Sequence, residues 1–249
     1  MSEMDYPPEE KALKEKIDAL NTKWEEACPE NFVSYGFYPY YTKQKYRLLF
    51  VGREARGGDD IKKCGYDYIK FIYGNYISGD MLDGAFHHRI FYFSYGLLYD
   101  FPKCTDNEQL HKMRDTALVE FVRGGLSFAF MNISTIANET GCVYTRKEAY
   151  AKSEQEGRKF RKKMIEILAP DIIVCANCGE DISRLADNKC ELEPRNETVV
   201  TDKLSFGTKS CLRFDTYHWS SFGKGRRNID FYNNLCGSFR KFRHLIQAK

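Results

Sequence analysis

Four short apolar runs, separated by helix-like sequence, limit what this chain can become. They are Tyr46-Arg47-Leu48-Leu49-Phe50-Val51, Phe128 to Met131, Ile172 to Ala176 and Cys211 to Thr216, the last paired with Thr198 to Leu204 across a turn at Gly207. Runs of this length and content read as buried strands. Between them lie amphipathic stripes: Leu13, Ile17, Leu20, Trp24 and Ala27 in residues 8 to 27, and Leu110, Met113, Ala117 and Phe121 in Thr105 to Val122. Two more are expected over Glu154 to Leu168 and Ile229 to Ile246. Thr105 with Glu108, and Ser153 with Glu156, are spaced as capping boxes, and Pro170 forbids continuation of the third helix. Strands alternating with helices predict an α/β fold, a three-layer sandwich about a central, mostly parallel four-stranded sheet. From Gly57 to Pro102 no clean period appears, and only a loop-rich, partly helical insertion is read there.

The 249 residues, 43% of them hydrophobic, are enough for one α/β domain, with an N-terminal helix and aromatic loop (1–45) packed on a core at 46–247. No window approaches the roughly 18 apolar residues of a membrane-spanning helix, and no signal peptide is evident, so a cytoplasmic protein without a membrane partner is expected. Nine irregularly spaced cysteines suit free thiols. Cys175 and Cys178 form a CxxC pair without a second spaced pair, which argues against an iron–sulfur cluster, and a zinc site drawn from them with His87 or His88 has no matching spacing. No metal or cofactor is therefore expected. The charged run Lys159, Arg161, Lys162 and Lys163 reads first as a solvated helix face.

In parallel sheets ligands bind at the carboxyl ends of the strands, which directs attention to the residues just after each run. The first strand leads into Gly52-Arg53-Glu54-Ala55-Arg56-Gly57-Gly58-Asp59-Asp60, which is not a Walker loop; the second ends at Asn132; the fourth leads into Tyr217-His218-Trp219-Ser220. A carboxylate, an amide and an imidazole at three strand ends can orient water, read a polar edge and donate a proton.

This order, strand-Gly-x-acid, strand-Asn, buried strand, strand-His-x-Ser, resembles the uracil-DNA glycosylase superfamily over about residues 46 to 240. The resemblance implies an enzyme of DNA base excision repair that hydrolyses the N-glycosidic bond of uracil or a related deaminated base. Glu54 then stands where the water-orienting residue stands, His218-Trp219-Ser220 is similar to the family's His-Pro-Ser, and Asn132 matches the base-reading Asn. Both motif prolines are absent, with Ala55 and Trp219 in their places. The implied partner is DNA, single-stranded or duplex with a flipped base, bound by a monomer. Phe222 is the candidate wedge, and Ser220, Lys224, Arg226 and Arg227 the candidate phosphate contacts. Tyr66, Tyr68, Phe71 and Tyr73 are equal candidates for a ring stacked on the base. Two other readings stay open: a catalytically inactive module binding a nucleobase or single strand, and a hydrolase pairing Glu54 with Asp59 or Asp60.

Overall fold

Pro7 and Pro8 open the chain's first helix, α1 (Pro8–Ala27), where the missing amide hydrogens cost nothing. The computed structural model describes residues 4–29, 32–55, 67–79, 84–138, 147–193, 198–221 and 227–246. Helix α1 is tied down by its first turn. The buried Glu10 carboxylate accepts from the backbone N–H groups of Tyr40 (2.7 Å) and Thr42 (2.6 Å), across a turn in which Tyr40 has φ 70°.

The strands are β1 (Gly36–Phe37), β2 (Leu48–Gly52), β3 (Ala129–Asn132), β4 (Ile172–Ala176), β5 (Asn188–Glu193), β6 (Val199–Phe206) and β7 (Lys209–Thr216). They form one mixed sheet in the order β1-β3-β2-β4-β7-β6-β5. The expectation of a four-stranded sheet is corrected to seven strands among the described residues. The four anticipated strands do lie side by side and parallel. The sheet is extended by antiparallel β1 on one flank, and by β6 and β5 on the other. The β6–β7 hairpin turns at Gly207, whose φ of 58° only glycine adopts freely.

The remaining helices are α2 (Tyr68–Ser78), α3 (Ala85–Leu98), α4 (Asn107–Arg123), α5 (Lys147–Leu168), the single turn α6 (Gly179–Ser183) and α7 (Asn228–Phe242). Trp24 of α1 stacks on Phe160 of α5 at 5.6 Å. Helix α3 packs between α4 and α7. Nine of its residues from His87 to Gly96 are buried, polar and apolar alike, so this helix has no solvent-facing stripe to give its sequence a period. Two capping expectations are also corrected. Asp106, not Thr105, caps α4 by accepting from Gln109 N–H at 2.8 Å. Ser153 lies inside α5, its hydroxyl accepting from Thr135 N–H at 3.0 Å.

Buried His87 accepts from or donates to the Tyr76 hydroxyl at 2.8 Å, and burial, with His88 beside it, pushes its pKa down from 6.5 to about 4. Between these values the unfolded chain binds the proton and the folded one does not, so stability falls as pH drops from 6.5 toward 4. The loss attributable to His87 is roughly 3 kcal/mol over that window. Urea unfolding of wild type and His87→Gln at neutral and acid pH checks this: the variant should show the smaller acid loss, and equal losses would remove His87 as the cause.

Candidate active site at the carboxyl edge of the sheet

Register fixes where the candidate side chains emerge. Gly52 pairs with Asn132, Val51 with Cys175, and Ala176 with Thr216, so the segments carrying Glu54, Asn132 and His218 leave the same edge. Strand β4 lies between β2 and β7, which separates the ends of those two strands by about 10 Å.

Asn132 is buried, and its amide donates to the Tyr35 hydroxyl at 3.0 Å. The Tyr35 phenol in turn donates to the Ser134 carbonyl at 3.1 Å. Burial pushes the Tyr35 pKa far up, so this phenol stays neutral and keeps its donor role. A Cβ built on Gly52 would overlap the Asn132 Oδ1. The glycine after the first strand therefore makes room for the amide, and no phosphate-cradling role is needed to explain it. Gly52→Ala is expected to cost about 1–3 kcal/mol through overpacking. In a denaturation cycle with Asn132→Ala, the second substitution should recover most of that loss; strictly additive costs would show that the two positions do not meet.

Beyond the two strands the ladder continues. Ile133 N–H donates to Gly52 O (3.0 Å), Ser134 N–H to Arg53 O (2.8 Å) and Asn138 N–H to Ala55 O (2.8 Å). This splints the turn that carries Glu54 at the place where the motif proline is missing. Glu54 is half-buried, and its carboxylate accepts from the Asn138 side-chain amide at 3.3 Å.

The His218 turn is held from below. Trp219, in the second proline's place, is fully buried, donates from Nε1 to Thr216 Oγ1 (2.9 Å), and meets Phe50 edge-on at 5.5 Å. Arg89 of α3, fully buried, donates to the carbonyls of Trp219 (2.6 Å), Ser221 (3.0 Å) and His218 (3.5 Å) and to the Asn228 side chain (3.0 Å). Ser220 N–H donates to His218 Nδ1 at 3.3 Å. A backbone N–H can only donate, so Nδ1 accepts and the proton of the neutral ring sits on Nε2.

A cluster of aromatic rings, buried except for half-buried Phe86, joins the His218 turn to Asn132. Phe86 lies 6.0 Å from His218, 4.8 Å from Trp219 and 6.2 Å from Phe130. Phe130 stacks on Tyr68 at 5.0 Å, and Tyr68 meets Tyr35 at 5.6 Å, beside Asn132. Of the four candidate rings, Tyr68 is buried within this cluster, Tyr73 stacks on Tyr38 instead, Phe71 is half-buried, and Tyr66 lies outside the described residues. Phe86, Tyr35, Arg89 and Asn138 were not singled out from sequence. Each joins the site through tertiary contacts that no local motif signals.

The nucleic-acid candidates are placed only in part. Ser220 is exposed; Arg227 is exposed and forms a two-pronged pair with Asp230 (2.9 and 3.0 Å). Such a surface pair is worth about 0–1 kcal/mol, so exchanging Asp230 for a phosphate costs little. Phe222, Lys224 and Arg226 lie outside the described residues, as do Asp59 and Asp60. Within the charged helix run, Arg161 departs from the expected solvated face: it is buried and donates to the carbonyls of Ile133, Ser153 and Glu154.

Cys175 and Cys178 are buried, and the Cys178 thiol donates to Val51 O at 3.4 Å. Desolvation and its Cys175 neighbour raise the Cys178 pKa well above the ordinary thiol range, which keeps it protonated. His87 is engaged with Tyr76, and His88 contacts Arg114 at 3.3 Å. Among the described residues, no three His, Cys, Asp or Glu side chains are grouped to share a metal ion. Nor is any helix among them long and apolar enough to cross a membrane.

No family model matches the sequence, and comparison with curated proteins gives no match.

Proposed function

We propose that this chain is a DNA glycosylase of base excision repair, hydrolysing the N-glycosidic bond of uracil or a related deaminated base, on a three-layer fold like that of the uracil-DNA glycosylases. The observation that carries this reading is the common edge: the segments bearing Glu54, Asn132 and His218 leave it together, and a cluster of Phe86, Phe130, Tyr68 and Tyr35 links His218 to the buried amide of Asn132.

The chemistry suits these groups. Breaking the bond leaves positive charge on the sugar and an electron pair on the departing base. Glu54 orients a water for attack at the sugar carbon, offsets the developing charge and takes the water's proton. His218 donates from Nε2 to the base oxygen where negative charge collects. One N–H of Asn132 is committed to Tyr35 and its Oδ1 lies against Gly52; under this reading the base edge falls to its second N–H, as donor, and to its carbonyl, as acceptor. That donor and acceptor pattern matches uracil, and cytosine would leave buried polar groups unmatched. A base in a duplex must first rotate out of the stack, at a few kcal/mol, so single-stranded and mismatched substrates are favoured.

One observation favours a second reading, an inactive nucleobase-binding module of the same fold: Asn138 already occupies one oxygen of Glu54, in a turn lacking the motif proline. Incubation with single- and double-stranded oligonucleotides bearing uracil, hypoxanthine or xanthine, followed by alkali, separates the two. Strand scission that falls at least about 100-fold in Glu54→Gln supports the enzyme. Retained binding with no scission on any substrate supports the module. Neither binding nor scission rejects both.

A further inference from the structure

A single peptide unit links Arg89 to His218. The Trp219 carbonyl accepts from Arg89 Nη1 at 2.6 Å, and the N–H of the same unit, belonging to Ser220, donates to His218 Nδ1 at 3.3 Å. In a trans peptide the C=O and N–H point in opposite directions, so fixing one fixes the other. The guanidinium also holds the neighbouring carbonyls of His218 and Ser221, while Asn228 anchors its Nε and the rings of Tyr217 and Phe231 flank it at 5.0 and 5.4 Å. A planar fork with several fixed donors performs this task, and an ammonium does not.

We propose that Arg89 is the positioning residue of the His218 turn: by gathering its carbonyls on one side, it aims the Ser220 N–H at Nδ1 and so holds the imidazole as the Nε2–H tautomer. Charge on the guanidinium polarises the intervening peptide and strengthens that N–H as a donor. Trp219 fills the space beneath the turn, and Arg89 supplies the rigidity that a proline would otherwise give. Only the kinetic part of the test below depends on the glycosylase reading.

The test is the tautomer of His218, read from side-chain ¹⁵N–¹H correlation spectra of the full-length protein at a pH where the ring is neutral. Wild type should show one tautomer, protonated at Nε2. Arg89→Lys, which keeps charge but loses the fork, and the milder Asn228→Ala, which releases Nε, should both populate the Nδ1–H form. A wild-type ring protonated at Nδ1 overturns the proposal, and so does a pure Nε2–H tautomer in whichever of these variants folds. Where wild type excises a base, Arg89→Lys should lower kcat about 10- to 100-fold with little change in KM. A wild type without excision, but with the tautomer shift intact, rejects the glycosylase reading and leaves the role of Arg89 standing.

Discussion

His218→Ala is expected to slow base release about 10²- to 10³-fold under single-turnover conditions, with little change in DNA affinity. The turn itself should survive the substitution, because its anchors are main-chain carbonyls and the Trp219 and Thr216 side chains. What disappears is the Nε2 donor, which in the proposed reaction acts only once the bond to the base is breaking. The loss should therefore appear in kcat and spare KM. His218→Gln, which offers an amide donor of similar reach on a more flexible side chain, should recover part of the rate. An undiminished rate in the alanine variant would exclude the imidazole from the chemistry.

Asp202→Ala is expected to destabilise the fold by about 3–5 kcal/mol, because removing one member of a buried ion pair strands the other. Asp202 and Arg213 face each other across the β6–β7 register, at 0% and 2% exposure, and their side chains are in direct contact. Lys189, 4.0 Å from the Asp202 carboxylate, is itself a cation and cannot neutralise the Arg213 charge that the substitution leaves behind. Asp202→Leu combined with Arg213→Met should restore most of the stability, since apolar residues of similar size often replace a buried pair without loss. Urea midpoints of the three proteins decide the matter; a single-site loss below about 1 kcal/mol would mean that water reaches the pair.

The parallel strands were legible because each is a compact apolar run. Ile172 to Ala176 corresponds residue for residue to β4, and the expected pairing of 198–204 with 211–216 falls in the β6–β7 hairpin apart from Thr198, which precedes β6. β5 was not legible: Asn-Lys-Cys-Glu-Leu-Glu has no buried face, so neither period nor composition marks it. Helix α3 escaped for the opposite reason, being buried on nearly all sides, polar His87, His88, Arg89 and Ser94 included. For the site, strand ends can be named from sequence because a parallel sheet sends them to one edge. The residues that hold the site cannot. Tyr35 meets Asn132 across 97 residues, and Arg89 meets Trp219 across 130; only the folded chain brings them together. Ala55 and Trp219 illustrate the same point: the backbone bond that Ala55 accepts from Asn138 and the side-chain bond that the Trp219 carbonyl accepts from Arg89 have no local mark in the sequence.

The outer rim of β5 has its own consequence. Lys189 and Glu191 project into solvent there, and the pairing with β6 slips between Glu191 and Glu193. Charges and a register break on a border strand spoil the template that a foreign strand would need for zipping on. Growth of this sheet into fibrils from that side is thereby discouraged, and the protection comes from the one strand whose sequence looks least like a strand.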